Sequence, residues 1–136
     1  MTLTEFLLAR LSDDEHFAHL ADTGSLWHRV GHRDACDWWG DMPGSCTCGA
    51  VGRALAEVEA KRRIVERFAQ AERLVQANAE KHAEASRGGL DNQEQIVALR
   101  THGWELAGRR DGLRFAVEEI AQPYADHPDF DDEWRV

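Results

Sequence analysis

Apolar residues recur at helical spacing along most of this chain. Leu3, Phe6, Leu7, Leu11 and Phe17 follow i, i+3, i+4 intervals, with Arg10 between them, and predict an amphipathic helix over about residues 3–20. Thr2 or Thr4 can cap its start, and Glu5 suits the positive end of the helix dipole. Ala21-Asp22-Thr23-Gly24-Ser25 is a stop and turn. From 51 to 86 the chain is rich in Ala, Glu, Lys, Arg, Leu and Val, with no Gly or Pro after Gly52, and predicts one long helix. Val51, Leu55, Val58, Val65, Phe68, Leu74 and Val75 mark its apolar stripe, which Arg62 and Glu72 keep from being a strict heptad. Ser86-Arg87-Gly88-Gly89 ends it.

Residues 91–122 predict one further helix or two. Asp91 or Asn92 supplies a cap, and Ile96, Val97, Leu99, Trp104, Leu106, Leu113, Ala116, Val117 and Ile120 carry the periodicity. Gly108-Arg109-Arg110-Asp111-Gly112 is the expected break, and Pro123 is the stop. Residues 123–136 form an acidic tail that contains Tyr124, Phe130 and Trp134. Disordered segments seldom hold so many aromatic side chains, so part of the tail should dock on the helices. Residues 21–50 show no sustained period. A loop of that length inside a compact domain needs something to hold it.

No stretch alternates with a strand period, and no internal repeat is visible. The pattern therefore predicts an all-α fold in one helical domain, residues 1–136. It would be a small helical bundle or an antiparallel helical hairpin, with one long central helix and a Cys/His/Trp-rich loop.

Composition narrows the function. The formal net charge is −9, which disfavours a nucleic-acid partner, since phosphate binding needs a basic face. The longest basic cluster, Lys61-Arg62-Arg63, is flanked by Glu57, Glu59 and Glu66, as an ion-paired helix surface would be. No apolar run is long enough to span a bilayer, and the N-terminus lacks the charge and apolar core of a signal peptide. The expected location is the cytoplasm.

The stretch WHRVGHRDACDWWGDMPGSCTCG, Trp27 to Gly49, holds all 3 cysteines. His28, His32 and Cys36 fall at i, i+4 spacing, so one short helix would align them, and Cys46-Thr47-Cys48 adds two thiols just before the long helix. Thiolates and imidazoles are the usual donors of tetrahedral zinc, so Cys36, Cys46 and Cys48 with His32, or else His28, make a candidate Cys3His structural zinc site. The plainer reading packs the cysteines as small apolar side chains, and a disulfide from Cys36 to Cys46 or Cys48 is a third. Trp38-Trp39 reads either as a partner-binding patch or as the plug of the loop's own core.

Catalytic motifs are thin. His28-Arg29-Val30-Gly31-His32 lacks the glutamate of HExxH, no histidine has Glu three residues before it, and Glu80 with Glu84 is ExxxE rather than a magnesium-binding ExxE.

LAEVEAKRRIVERF (Leu55 to Phe68) and PYADHPDFDDEWR (Pro123 to Arg135), with Ser12-Asp13-Asp14-Glu15 and Trp27-His28, resemble a domain-of-unknown-function family of small proteins from actinobacteria and their phages. The matching blocks sit at the start, middle and end, so the resemblance spans most of the chain. It implies no activity. Cysteines and histidines of that family often follow the KRRIVE helix, whereas here the cysteines precede it, so no ligand set is carried over. The expectation that results is a non-enzymatic protein-binding factor, directed at a host protein if phage-encoded, with self-association through the long helix. The competing expectation is a zinc-dependent hydrolase that uses the same cluster with Asp34, Asp37 or Asp41 nearby.

Overall fold

A computed structural model describes residues 1–22 and 49–136 of the chain, apart from the side chains of residues 21, 22, 90 and 91. The described residues are all-α: α1 is Leu3–Asp22, α2 is Ala50–Arg87 and α3 is Gln93–Ala121, with short 3-10 turns at Gly89–Asn92, Gln122–Tyr124 and Asp132–Trp134. No strand occurs among them. The chain divides into two compact units, Met1–Arg63 and Ile64–Val136, and α2 contributes to both.

The first unit holds α1 and the opening of α2. Thr2 wins over Thr4 as the cap of α1. The Thr2 N–H donates to Glu5 Oε2 at 2.8 Å, and the Glu5 N–H donates to Thr2 Oγ1 at 3.2 Å, which closes a reciprocal capping box. Phe6, Leu7, Leu11 and Ala18 are buried along one stripe. Phe17, read with that stripe in the sequence, instead stands 43% exposed, because Ala18 rather than Phe17 continues the inward face. Arg62 Nη2 on α2 meets Glu15 Oε2 on α1 at 2.7 Å and ties the two helices at their charged edges. Lys61–Glu57 at 2.7 Å and Arg63–Glu59 at 3.3 Å are i, i+4 pairs, as their sequence spacing predicts. α2 starts after Gly49, whose φ of 70° needs a glycine and whose carbonyl accepts the Arg53 N–H.

The second unit is an antiparallel hairpin of α2 and α3. Gly89, φ 75°, ends α2 in the left-handed region. Asn92 begins α3, yet its side chain does not cap that helix. Its Nδ2 turns back and donates to the Ala85 carbonyl at 3.2 Å, joining the Gly88 N–H, which donates to the same carbonyl at 3.1 Å. Farther along, Asn78 Nδ2 on α2 donates to the Leu99 carbonyl on α3 at 3.0 Å, which fixes the register.

Val65, Phe68, Ala71 and Ala85 are buried on α2, and Leu106, Val117 and Ala121 on α3. Leu74, counted with the apolar stripe of the sequence, is 40% exposed, since the inward face passes through Ala71, Val75 and Asn78 instead. α3 does not break at Gly108–Gly112. Leu106 and Val117 are eleven residues apart, about three turns, so the buried stripe continues across the glycines and outweighs their cost of about 1 kcal/mol each.

Beyond Pro123 the tail folds back on its own hairpin. Trp134 is buried, packed edge-on to Phe130 with ring centroids 5.6 Å apart. Gln122 Nε2 donates to both the Glu118 carbonyl (2.7 Å) and the Trp134 carbonyl (2.8 Å). Arg135 lies over the Phe130 ring. Glu118, the buried charged residue of this unit, receives the Arg114 guanidinium at 2.7 Å. None of the described helices is long and apolar enough to cross a membrane.

Candidate functional site

His28, His32, Cys36, Cys46 and Cys48, the residues at which the sequence points to a metal, lie outside the described residues, as do Trp38 and Trp39. Among the described residues no group of three His, Cys, Asp or Glu side chains is arranged to hold an ion.

The feature that does emerge is on α3. Trp104 is 68% exposed, Phe115 70% and Val97 43%. Val97 to Trp104 is seven residues and Trp104 to Phe115 is eleven, about two and three helical turns, so the three side chains share one outward line. The buried Leu106 is two residues from Trp104, and therefore on the opposite side of the helix. α3 thus carries two apolar stripes, one inside the hairpin and one outside it. Single exposed hydrophobes are ordinary, but two large aromatics aligned on one face are not.

Between the two rings the outward face carries two glycines and the charged Asp111. A Cβ added at Gly108 or Gly112 would meet no atom within 4 Å. The edges of the stripe are charged with opposite sign. Arg100 and Arg114 run along one edge, and Glu105 and Glu119 along the other. Arg100 stacks over Trp104 at 5.7 Å, and Glu118 raises the Arg114 pKa above its already high ordinary value.

The sequence reading missed this stripe because it merged Val97, Trp104 and Leu106 into one apolar periodicity and left Phe115 out of it. The signal was there in the offset: Val97, Trp104 and Phe115 follow one line, and Leu106, Val117 and Ala121 another.

A groove of about 540 Å³ opens beside Glu72, Arg73, Gln76 and Glu80 on α2 and Arg110 on α3. Its polar groups are largely occupied: Gln76 donates to Glu80 at 2.9 Å, and Arg110 pairs with Asp111 at 2.6 Å. Glu72 and Glu80 are eight residues apart on one helix, about 12 Å in rise, too far to share an ion. The lowered carboxylate pKa values fall on Glu5, from the Thr2 N–H and hydroxyl, and on Glu15, from Arg62; both are structural contacts.

These features define a small all-α protein, with a helical hairpin that presents an apolar stripe outward. The whole chain, residues 1–136, matches the sequence model of the family of unknown function DUF6221, and the protein belongs to that family. No curated protein and no solved structure matches it.

Proposed function

We propose that the protein acts by binding protein, and not by catalysis. The observation that carries this reading is the outward stripe of α3, where Trp104 and Phe115 stay about two-thirds exposed on one line. Aromatic side chains are the usual anchors of protein interfaces, and a face of this kind is costly to leave in water. The acidic tail, with exposed Asp126, Asp129, Asp131, Asp132 and Glu133 around the buried Trp134, offers a second, polar contact surface. The resemblance to proteins of actinobacteria and their phages supports a cytoplasmic setting and makes a host-cell protein the first foreign partner to test at the tail.

A structural zinc ion belongs to the same proposal. Cys36, Cys46 and Cys48 with His32 or His28 supply the thiolate-rich donor set of closed sites, which favours a structural over a catalytic ion. Metal analysis of protein purified without added metal should find about one zinc per chain, lost in a Cys46→Ser, Cys48→Ser variant. Thiols that are free and metal-free would remove the zinc from the proposal.

The binding reading is tested in the producing cell. A photo-cross-linking amino acid placed at Trp104 should give covalent adducts with protein, and the same group at exposed Lys81 should not. No adduct at position 104 above the Lys81 background would overturn it.

A further inference from the structure

The binding reading leaves open what covers the α3 stripe, and the present inference rests on that reading. We propose that a second copy of this chain covers it, with the two α3 helices side by side and parallel.

The first reason is the charge at the edges. In a parallel pair of helices, a residue on one edge of the stripe faces the opposite edge of its partner five residues farther on. Arg100 and Glu105 are five residues apart, and so are Arg114 and Glu119. The two pairs are separated by fourteen residues, two full heptads, so both recur in the same register. Each Arg of one copy then meets a Glu of the other, on both sides of the seam. An antiparallel pair would set basic edge against basic edge and acidic against acidic. A foreign helix would need this charge pattern too, whereas the chain supplies it itself.

The second reason is shape. The heptad between the two charged pairs carries Ala107 and Gly112, themselves five residues apart, with Gly108 on the seam. Both glycines are open to solvent, with nothing within 4 Å of an added Cβ. In a parallel pair, Trp104 packs against its own counterpart and Phe115 against its own. The small residues between them make a narrow waist that lets the helices close around the bulky rings. Within the chain no described contact uses these glycines.

The size of the contact sets its strength. An aromatic side chain buries about 150–250 Å², so covering the exposed parts of two rings on each copy removes about 400–700 Å². With Val97 and the stems of the edge residues the interface reaches about 1,000 Å², at the low end of specific interfaces. Asp111, 55% exposed, lies on the seam and weakens the pair further, although Arg110 holds its carboxylate. The dimer is therefore reversible and depends on concentration.

Sedimentation velocity of the purified full chain, from about 1 to 500 µM, tests this, since that range brackets a weak interface. The expected result is a monomer–dimer equilibrium that weakens as salt rises, because opposite charges face each other. Trp104→Ala with Phe115→Ala should weaken dimerisation by about a hundredfold or more. Asp111→Leu should tighten it. Arg100→Glu and Glu105→Arg copies should each self-associate poorly and pair when mixed. All of these sites are solvent-exposed, and circular dichroism verifies that each variant keeps its helices. A monomer at every concentration, or a dimer untouched by Trp104→Ala with Phe115→Ala, overturns the proposal. A dimer strengthened by salt overturns the parallel arrangement. If the chain is monomeric yet the cross-linker at Trp104 still captures a different protein, the binding reading stands and the second copy falls. If neither is seen, both fall.

Discussion

The same substitution should have opposite consequences at two glycines of α3. At Gly112 an added Cβ meets nothing within 4 Å, so Gly112→Ala keeps every native contact and removes only the conformational freedom of the unfolded chain. That stabilises by about 0.5–1 kcal/mol. At Gly103 the Cβ would stand 2.8 Å from Asn78 Nδ2, the group that bridges α2 to the Leu99 carbonyl. The amide has to move, and the interhelical hydrogen bond goes with it, at about 1 kcal/mol. The gain in helix propensity and the loss of the bridge cancel, so Gly103→Ala should be neutral or slightly destabilising.

The decisive quantity is the coupling to Asn78. In an Asn78→Ala background the bridge is already absent, and Gly103→Ala should then stabilise as Gly112→Ala does. The double-mutant cycle of Gly103 and Asn78 should show a coupling of about 1 kcal/mol, whereas Gly112 and Asn78 should show none. Urea denaturation at about 1 µM, the low end of the range over which the proposed self-association is tested, measures all six proteins. In thermal melts the Gly112→Ala gain corresponds to a few degrees, on the order of 2–5 °C. A Gly103–Asn78 coupling near zero would refute the bridge and with it the register of the α2–α3 hairpin.

Trp134→Ala should destabilise by about 3 kcal/mol and open the tail to proteases, because it empties the buried position that Phe130 and Gln122 surround; unchanged proteolysis would mean that the tail is not docked. Thr2→Ala should cost about 1 kcal/mol by removing the α1 capping box, measured as a shift in the urea midpoint at constant slope. Stability should fall in acid through Glu5 and Glu15. Both carboxylates titrate below the ordinary glutamate value of 4.5 in the folded chain, so their contribution is complete above that value and disappears as pH falls through the lowered folded pKa. Arg62→Met should flatten the Glu15 part of that acid limb, and an identical pH–stability profile would show that the Glu15–Arg62 pair is not formed.

The helices were legible in the sequence because each is long and carries a repeating apolar face, and periodicity is the strongest local signal of structure. The capping residues were legible as a choice between neighbours, Thr2 or Thr4, which only the folded geometry decides. Other positions were not legible. Phe17 and Leu74 fit a helical spacing as well as Ala18 and Ala71 do, and a count by residue type prefers the larger side chain. What selects the inward face is the neighbouring helix, and that information is not local. The same holds at Asn92. Its side chain is a good N-cap in isolation, but in the hairpin it serves the carbonyl of Ala85 across the turn, as a second donor beside the Gly88 N–H. The continuous α3 shows the limit of turn signals. Gly108 and Gly112 read as a break, yet a buried stripe that crosses them from Leu106 to Val117 holds the helix together.

Those two glycines also connect the fold to the binding proposal. Among the described residues, a helix held together by its inner face gains nothing from glycine on its outer face, and loses about 1 kcal/mol at each. The same outer face leaves Trp104 and Phe115 in water. Two local rules are thus broken together on one side of one helix, whereas Gly103 on the inward side stands against Asn78 of α2. The proposed binding surface would account for both breaches at once. Large rings flank small residues, and oppositely charged edges flank both. The large, small and charged positions fall in one heptad register, the order that the proposed helix pair would use.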